Sequence, residues 1–440
     1  MLPESARSAY PTSLSFELSR FLISDLKVLD AFGFGDLGLE IHWENIGDPV
    51  AKGAPLPAWL TDIVAGLARD PKSYAYSHSK GALETREFLA ARNNALGGAR
   101  ITPEDILFCN GLGDAIGKIY QYLAPEARVL VPSPTYSTHA TGESGHARKP
   151  PLTFRLNPEK GWLPDIGEIR SQVESHPGIV GILVINPDNP TGMVYPESLL
   201  REIVSVAKTY GLFLVADEIY THITYNGAKA VPLARVIGEV CGIAMKGISK
   251  EFPWPGSRCG WLEFYNAGRD PEFARLVKTL EDAKMLEVCS TTLPQLAIPP
   301  GLGDPRFAAH RESLNQAIGR RSDVVCETLK SVPGLIVNPS YGAFYNTVVF
   351  QPGALKPGQK LAVPNPEAGR LVESLVEGIP LDKRFVYYVL AATGICVVPL
   401  SSFSSDLSGF RVTLLEEDPE RMRWIYLRLR AAIEEYLVSV

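Results

Sequence analysis

At 440 residues the chain exceeds what one hydrophobic core usually organises, so two domains are expected. Its 45% hydrophobic and 21% charged residues are the proportions of an ordinary soluble globular protein, and a net charge of −6 gives no electrostatic reason to expect nucleic acid as a partner. Six scattered cysteines and seven histidines without metal spacing indicate neither a disulfide framework nor a metal site, and reduced thiols fit a cytoplasmic protein.

Met1 to Ser13 lacks a basic segment followed by an apolar core, and no apolar run approaches about 18 residues. Neither secretion nor a membrane span is expected. Phe21 to Phe32 has helical periodicity and precedes Gly33-Phe34-Gly35-Asp36-Leu37-Gly38, which fits G-x-G-x-x-G. That motif binds a dinucleotide only after a strand and before a helix, so its context fails. Ile106 to Cys109 is a strand candidate, followed by Gly111-Leu112-Gly113-Asp114-Ala115-Ile116-Gly117 and a helix candidate at Lys118 to Leu123. A glycine loop there frees backbone N–H groups for an anion such as phosphate. The next strand, Arg128 to Val131, ends in Pro132-Ser133-Pro134 without the acid that a ribose would need.

The apolar run Ile179 to Ile185 leads into Ile185-Asn186-Pro187-Asp188-Asn189-Pro190-Thr191-Gly192, a turn after a buried strand. Glu197 to Tyr210 is a helix stopped by Gly211. Leu212 to Ala216 is a strand that delivers Asp217, Glu218 and Tyr220. Gly242 to Met245 is another, leading to Gly247-Ile248-Ser249-Lys250, with Arg258 eight residues on. Strands alternating with helices predict an α/β fold with a mostly parallel sheet covered on both faces, and ligands on such sheets sit beyond the carboxyl ends of the strands. Gly301 to Pro305 is read as a boundary, giving a large domain over 46–300 and a smaller α+β domain from 1–45 with 301–440. Within the latter, Gln351 to Ala368 reads as an exposed loop without a role, and Glu420 to Leu437 as a closing amphipathic helix.

Asn189, Asp217, Tyr220, Lys250 and Arg258, with Arg411 downstream, are the residue types that a pyridoxal phosphate pocket needs. An aldehyde cofactor is held by a lysine amine as a Schiff base and works as an electron sink only while its ring nitrogen stays protonated. Lys250 is the candidate amine and Asp217 the carboxylate that holds the proton. Asn189 and Tyr220 can donate to the ring's phenolic oxygen, and Arg258 offers a planar fork to the phosphate.

These blocks give the chain its resemblance to class I/II aminotransferases of the fold-type I pyridoxal phosphate enzymes, over about Asn45 to Glu416, nearest the alanine aminotransferase-like branch. The resemblance implies Gly111, Leu112 and Gly113 as cofactor contacts and Tyr136, in Pro132-Ser133-Pro134-Thr135-Tyr136, as the aromatic stacked on the ring. It implies that Tyr76, ahead of Gly81, reaches the phosphate from the neighbouring subunit of a homodimer with shared sites. Arg411, in Gly409-Phe410-Arg411-Val412, would clamp the substrate α-carboxylate, with Gly47 and Asn189 as further substrate contacts. Where many relatives carry a phosphate-binding serine, this chain has Gly247.

The expected reaction moves an amino group between an L-amino acid and a 2-oxo acid, with Lys250 shifting the proton between the substrate Cα and the cofactor and Tyr220 assisting. Elimination, replacement, racemisation, decarboxylation and ring closure draw on the same residues and stay open as alternatives, as do a non-enzymatic cofactor sensor and a nicotinamide oxidoreductase. Each residue also has a plainer reading. Asp217 could cap a helix, Arg411 could be a structural ion-pair partner, and Tyr76, Tyr136 and His139 could be packing residues. No second arginine for a distal carboxylate is apparent around Glu287 to Gln295, which leans toward a small or apolar substrate side chain such as alanine's.

Overall fold

The computed structural model describes residues 29–439. Among them, the first helix, α1 (Leu29–Asp36), carries Gly33 and Gly35 inside it, with Gly38 in the left-handed region (φ 83°) just beyond. The G-x-G-x-x-G run therefore forms and ends a helix, not a turn leading into one. The part of the Phe21 to Phe32 segment before Leu29 lies outside the described residues.

The main sheet has eight strands: β1 (Ile106–Cys109), β2 (Arg128–Ser133), β3 (Thr153–Asn157), β4 (Leu163–Pro164), β5 (Ile179–Ile185), β6 (Phe213–Asp217), β7 (Gly242–Gly247) and β8 (Gly260–Tyr265). Their order is β1-β8-β7-β6-β5-β2-β3-β4. The pairs β3/β2, β2/β5, β5/β6 and β6/β7 are parallel. Strand β8 runs antiparallel between β1 and β7, and β4 is antiparallel to β3. β8 was not foreseen: it directly follows the Arg258 turn, and its fully buried Gly-Trp-Leu-Glu-Phe-Tyr lacks an unbroken apolar run. The central strands do have such runs because helices cover both faces, so alternate side chains meet apolar neighbours on either side. Register aligns the strand ends, with Ile185 opposite Asp217 and Asp217 opposite Met245. The residues that follow β5, β6 and β7 therefore emerge together at one edge.

Two sequence-based boundaries need correction. The helix expected at Lys118 to Leu123 is α2 (Leu112–Gln121), so the glycine run forms the helix's first turns and is not a loop before it. Gly111 serves as N-cap in a conformation only glycine adopts freely (φ 82°), and the Asp114 carboxylate turns back to accept from Asn110 N at 2.9 Å. Ala115, Ile116, Ile119 and Tyr120 are buried against the sheet, and this packing outweighs the low helix propensity of Gly113 and Gly117. The stretch 351–368 is not simply an exposed loop. Leu355, Gln359 and Leu361 are buried, and Gln359 Nε2 donates to Ala354 O and Leu437 O at 3.1 Å each. Its end starts a helix (Pro366–Leu375) capped by the Asn365 side chain.

Helix α3 (Glu197–Tyr210) ends at Gly211 in the left-handed region, as its spacing predicts. Between Gly301 and Pro305 one helix (Thr292–Leu302) gives way to a longer one (Pro305–Leu329). A second sheet follows, in the order β9-β10-β12-β11, from β9 (Leu335–Val337), β10 (Tyr345–Phe350), β11 (Val398–Pro399) and β12 (Gly409–Thr413). A short parallel pair, His42–Trp43 with Ile395–Cys396, ties the early chain to this region. The closing helix, Pro419–Val438, buries Ile425, Leu429, Ile433 and Tyr436 into the same core. The two cores interlock: Ile219 and Tyr220 pack with the second sheet, while Val349, Val398 and Phe403 pack with the first. Among the described residues, no helix is long and apolar enough to cross a membrane, and no group of three or more His, Cys, Asp or Glu side chains is placed to hold a metal ion.

Candidate active site

Where the two cores meet, a cavity of about 440 Å³ opens at the carboxyl edge of β5, β6 and β7. Gly47, Leu112, Gly113, Tyr136, Asn189, Asp217, Tyr220, Lys250, Arg258 and Arg411 all line it, although their positions span almost the whole chain. Gly111 lies at its rim, because a Cβ there would sit 2.5 Å from Arg258 Nη2. Tyr76 is not part of this cavity. Its ring is 83% exposed beside a separate hollow with Ser77, His78 and Thr292.

The turn after β5 is built for close approach. Gly192 has φ 72°, and a Cβ on it would lie 2.3 Å from Tyr345 O. Thr347 Oγ1 donates to Pro190 O at 2.7 Å, locking the turn against the second sheet. Asp188 Oδ2 accepts from the backbone and side chain of Thr191. Burial pushes the Asp188 carboxyl up to about 7. Asn189 is left at the cavity wall, where its Oδ1 accepts from Arg411 Nη1 at 3.2 Å.

Asp217 ends β6 with its side chain buried. Its Oδ1 accepts from Ile219 N at 3.1 Å and its Oδ2 lies 3.0 Å from His139 Nε2. A carboxylate only accepts, so Nε2 carries the proton in this pair. His139 is indeed buried, but its ring is also a direct partner of Asp217. The signal was its place three residues beyond Tyr136 on the helix Ser137–Ala147, the same face one turn along. Tyr136 and His139 meet edge to face at 6.2 Å.

Lys250 Nζ donates to Gly47 O at 2.7 Å and lies 5.6 Å from the Phe344 ring centre. Removal from water lowers its pKa to about 8, and the Arg411 and Arg258 charges act in the same direction against Asp48 and Asp217. At pH 7 about a tenth of this amine is therefore uncharged and nucleophilic, far more than for a solvated lysine.

Arg258 adopts a left-handed backbone (φ 49°) after the Pro255–Ser257 turn, which swings its guanidinium over Gly111. The first-turn N–H groups of α2 lack intrahelical acceptors by geometry, so that helix start and Arg258 together form an anion cradle. Gly247 has a packing reason: a Cβ would meet Cys259 O at 3.0 Å and Ile219 Cδ1 at 3.1 Å, so a serine would press on β8.

Arg411 is buried at the centre of β12. Its guanidinium lies between the Tyr345 and Phe403 rings, 4.4 and 5.0 Å from their centres, and donates to Asn45 O at 2.6 Å. Its buried Nε has no hydrogen-bond partner. Asn45, Tyr345 and Phe403 were missed by the sequence reading. Tyr345 sits in an apolar strand and Phe403 in a short turn, where aromatic residues ordinarily signal core.

Asp217, a partly neutral lysine, an arginine-backed helix start and a second buried arginine with an unpartnered Nε fit pyridoxal phosphate and an amino acid. The family model for aminotransferase class I and II matches residues 45–423. An uncharacterised aminotransferase of Methanocaldococcus jannaschii is 49% identical over 96% of this chain and 97% of its own length. The glutamate-pyruvate aminotransferase of Escherichia coli is 29% identical over 68% of this chain and 73% of its own. Among solved structures, the alanine aminotransferase of Pyrococcus furiosus superposes with a TM-score of 0.80 at 26% identity, covering 93% of this chain and 96% of that one. The chain belongs to the class I and II aminotransferase family: it is a fold-type I, pyridoxal phosphate-dependent aminotransferase.

Proposed function

We propose that this enzyme exchanges an amino group between an L-amino acid with a small, uncharged side chain, of the alanine class, and a 2-oxo acid. The observation that carries the reading is the set of cations on the cavity wall: Lys250, Arg258 and Arg411. Each has a task already, which leaves no wall cation for a distal carboxylate among the described residues. The names of two similar proteins, a glutamate-pyruvate and an alanine aminotransferase, support a three-carbon partner on one side of the reaction.

Pyridoxal phosphate supplies an electron sink that stabilises negative charge at the substrate Cα. Asp217, oriented by His139, would hold the proton on the cofactor's ring nitrogen, and Tyr136 would stack on the ring. Asn189 and Tyr220 would donate to the phenolic oxygen. Gly111, Leu112 and Gly113 offer N–H groups to the phosphate and Arg258 its fork. Lys250 would hold the aldehyde through its amine and would carry the Cα proton, a role suited to an amine whose pKa is about 8. Arg411 takes the α-carboxylate on its fork beside Gly47 and Asn189.

The same reading makes the exposed Tyr76 a contribution to a neighbour's phosphate site in a homodimer. It divides the chain into a domain over 46–300 and one formed by 1–45 with 301–440, of which residues 1–28 and 440 lie outside those described. The six cysteines are all free thiols, which suits a cytoplasmic location. A panel of amino donors, read as conversion of the bound cofactor to its pyridoxamine form, tests the assignment. Alanine should convert it faster than aspartate or the aromatic amino acids. Conversion by aspartate alone would overturn the substrate reading, and release of products without any pyridoxamine form would favour elimination or decarboxylation.

A further inference from the structure

Tyr345 belongs to no set of cofactor or substrate contacts named above, yet it touches three of them. Its hydroxyl lies 2.9 Å from the Tyr220 hydroxyl, and the two buried rings meet edge to face at 5.8 Å and 83°. Its ring face carries the Arg411 guanidinium at 4.4 Å. Its oxygen fills the space where a Cβ on Gly47 would stand, 2.3 Å from that position, and Gly47 O is the acceptor of the Lys250 amine. One side chain thus abuts the carboxylate clamp, the phenol expected at the cofactor and the loop whose Gly47 carbonyl accepts from the lysine.

Chemistry decides which phenol donates. Burial raises both phenols; the Arg411 guanidinium 4.4 Å from the Tyr345 ring centre opposes that rise at Tyr345, whereas Asp217 adds to it at Tyr220. Either oxygen can donate at 2.9 Å, and the guanidinium over the Tyr345 ring favours Tyr345 as the donor to the Tyr220 oxygen. That leaves the Tyr220 proton free to point into the cavity, and accepting one hydrogen bond strengthens the one it gives.

We propose that Tyr345 is a positioning residue: it aims the Tyr220 hydroxyl into the cavity and links it to the Arg411 clamp. The assignment rests on the reading above, in which Tyr220 meets the cofactor's phenolic oxygen. A donor to that oxygen lowers the pKa of the lysine-bound cofactor's imine nitrogen, so weakening the donor raises it.

The test is a pH titration of the absorbance of the cofactor-loaded protein, for wild type, Tyr345→Phe, Tyr220→Phe and the double variant. Tyr345→Phe should raise the imine pKa by about half a unit to one unit, the size of one lost hydrogen bond. Its KM for the amino donor should stay within about twofold, because the ring remains on Arg411. In the Tyr220→Phe background the second change should add no further shift. Should Tyr345→Phe fail to fold, as judged by melting of the cofactor-free chain, Gly47→Ala displaces the same hydroxyl and should shift the titration in the same direction.

An unchanged titration in Tyr345→Phe, or the same shift with and without the Tyr220 hydroxyl, overturns the proposal while leaving the site assignment standing. If Tyr220→Phe itself leaves the titration untouched, the assignment of Tyr220 falls and the linkage through Tyr345 falls with it.

Discussion

Asp217 and Glu218 are neighbours at the end of one strand, as Lys250 and Glu251 are at the start of one turn, but they serve opposite sides of the sheet. Asp217 and Lys250 face the 440 Å³ cavity, where the amine's hydrogen bond goes to a carbonyl, Gly47 O, and not to a carboxylate. Glu218 and Glu251 face a void of only about 50 Å³ lined also by His222, Lys246 and Glu263. There Lys246 Nζ lies 2.8 Å from Glu263 and 3.4 Å from Glu218. Glu263 also accepts from Trp261 Nε1 at 3.0 Å and Tyr265 OH at 2.7 Å, and Glu218 accepts from Leu233 N. On one side acids meet a lysine directly; on the other the charges line the cavity. At Asp217 and Glu218, alternation at the end of the strand is enough to separate the two sides by a single residue.

The sharpest break in this comparison is Lys250→Ala, which should abolish turnover and remove the imine absorbance of the loaded protein. Full activity in that variant would sink the assignment. Next is Asp217→Ala, expected to lower kcat/KM by on the order of 100-fold or more, the loss seen when one preorganised electrostatic partner is removed. Tyr136→Phe keeps the stacking ring and should cost less than about threefold in the same assay. Equal losses in these two variants would mean that Asp217 acts only as packing.

On the opposite side, Lys246→Met leaves Glu218 and Glu263 buried without their cation and should cost about 3–5 kcal/mol in chemical unfolding. Turnover per folded molecule should stay within about threefold of wild type. A large drop in kcat with unchanged stability would show that the two sides are not separate.

The smallest expected effect is a pH dependence in the cofactor-free chain. The folded pKa of Lys250, about 8, lies below the unfolded value of about 10.4, so between them the unfolded chain binds more protons and wild-type stability rises with pH. Lys250→Met should therefore melt higher than wild type at pH 7, and the gain should fade as pH rises from about 8 to above 10. A difference in melting temperature that is flat over this range would contradict burial as the cause of the shift.

Much of this was legible in the sequence because the central strands are buried on both faces. Ile106 to Cys109, Ile179 to Ile185 and the helix Glu197 to Tyr210 end where their apolar patterns end. Less regular surroundings hid the rest. Strand β8 mixes Glu263 into the sheet because Lys246 and two ring donors satisfy it there. The stretch 351–365 looks like a loose linker by composition but is pinned through Gln359. Likewise α2 begins inside its glycines because Gly111 alone tolerates both the cap geometry and the Arg258 contact.

By itself the sequence determined the strand ends and the polar residues they deliver, since hydrophobic period and turn chemistry are local properties. What only the tertiary structure decided is which distant side chains share a wall: Asn45 and Gly47 with Lys250 and Arg411, His139 with Asp217, Tyr345 with Tyr220. Those contacts join residues up to 366 positions apart, as between Asn45 and Arg411. Their partners are fixed by how two cores interlock, which no local pattern encodes.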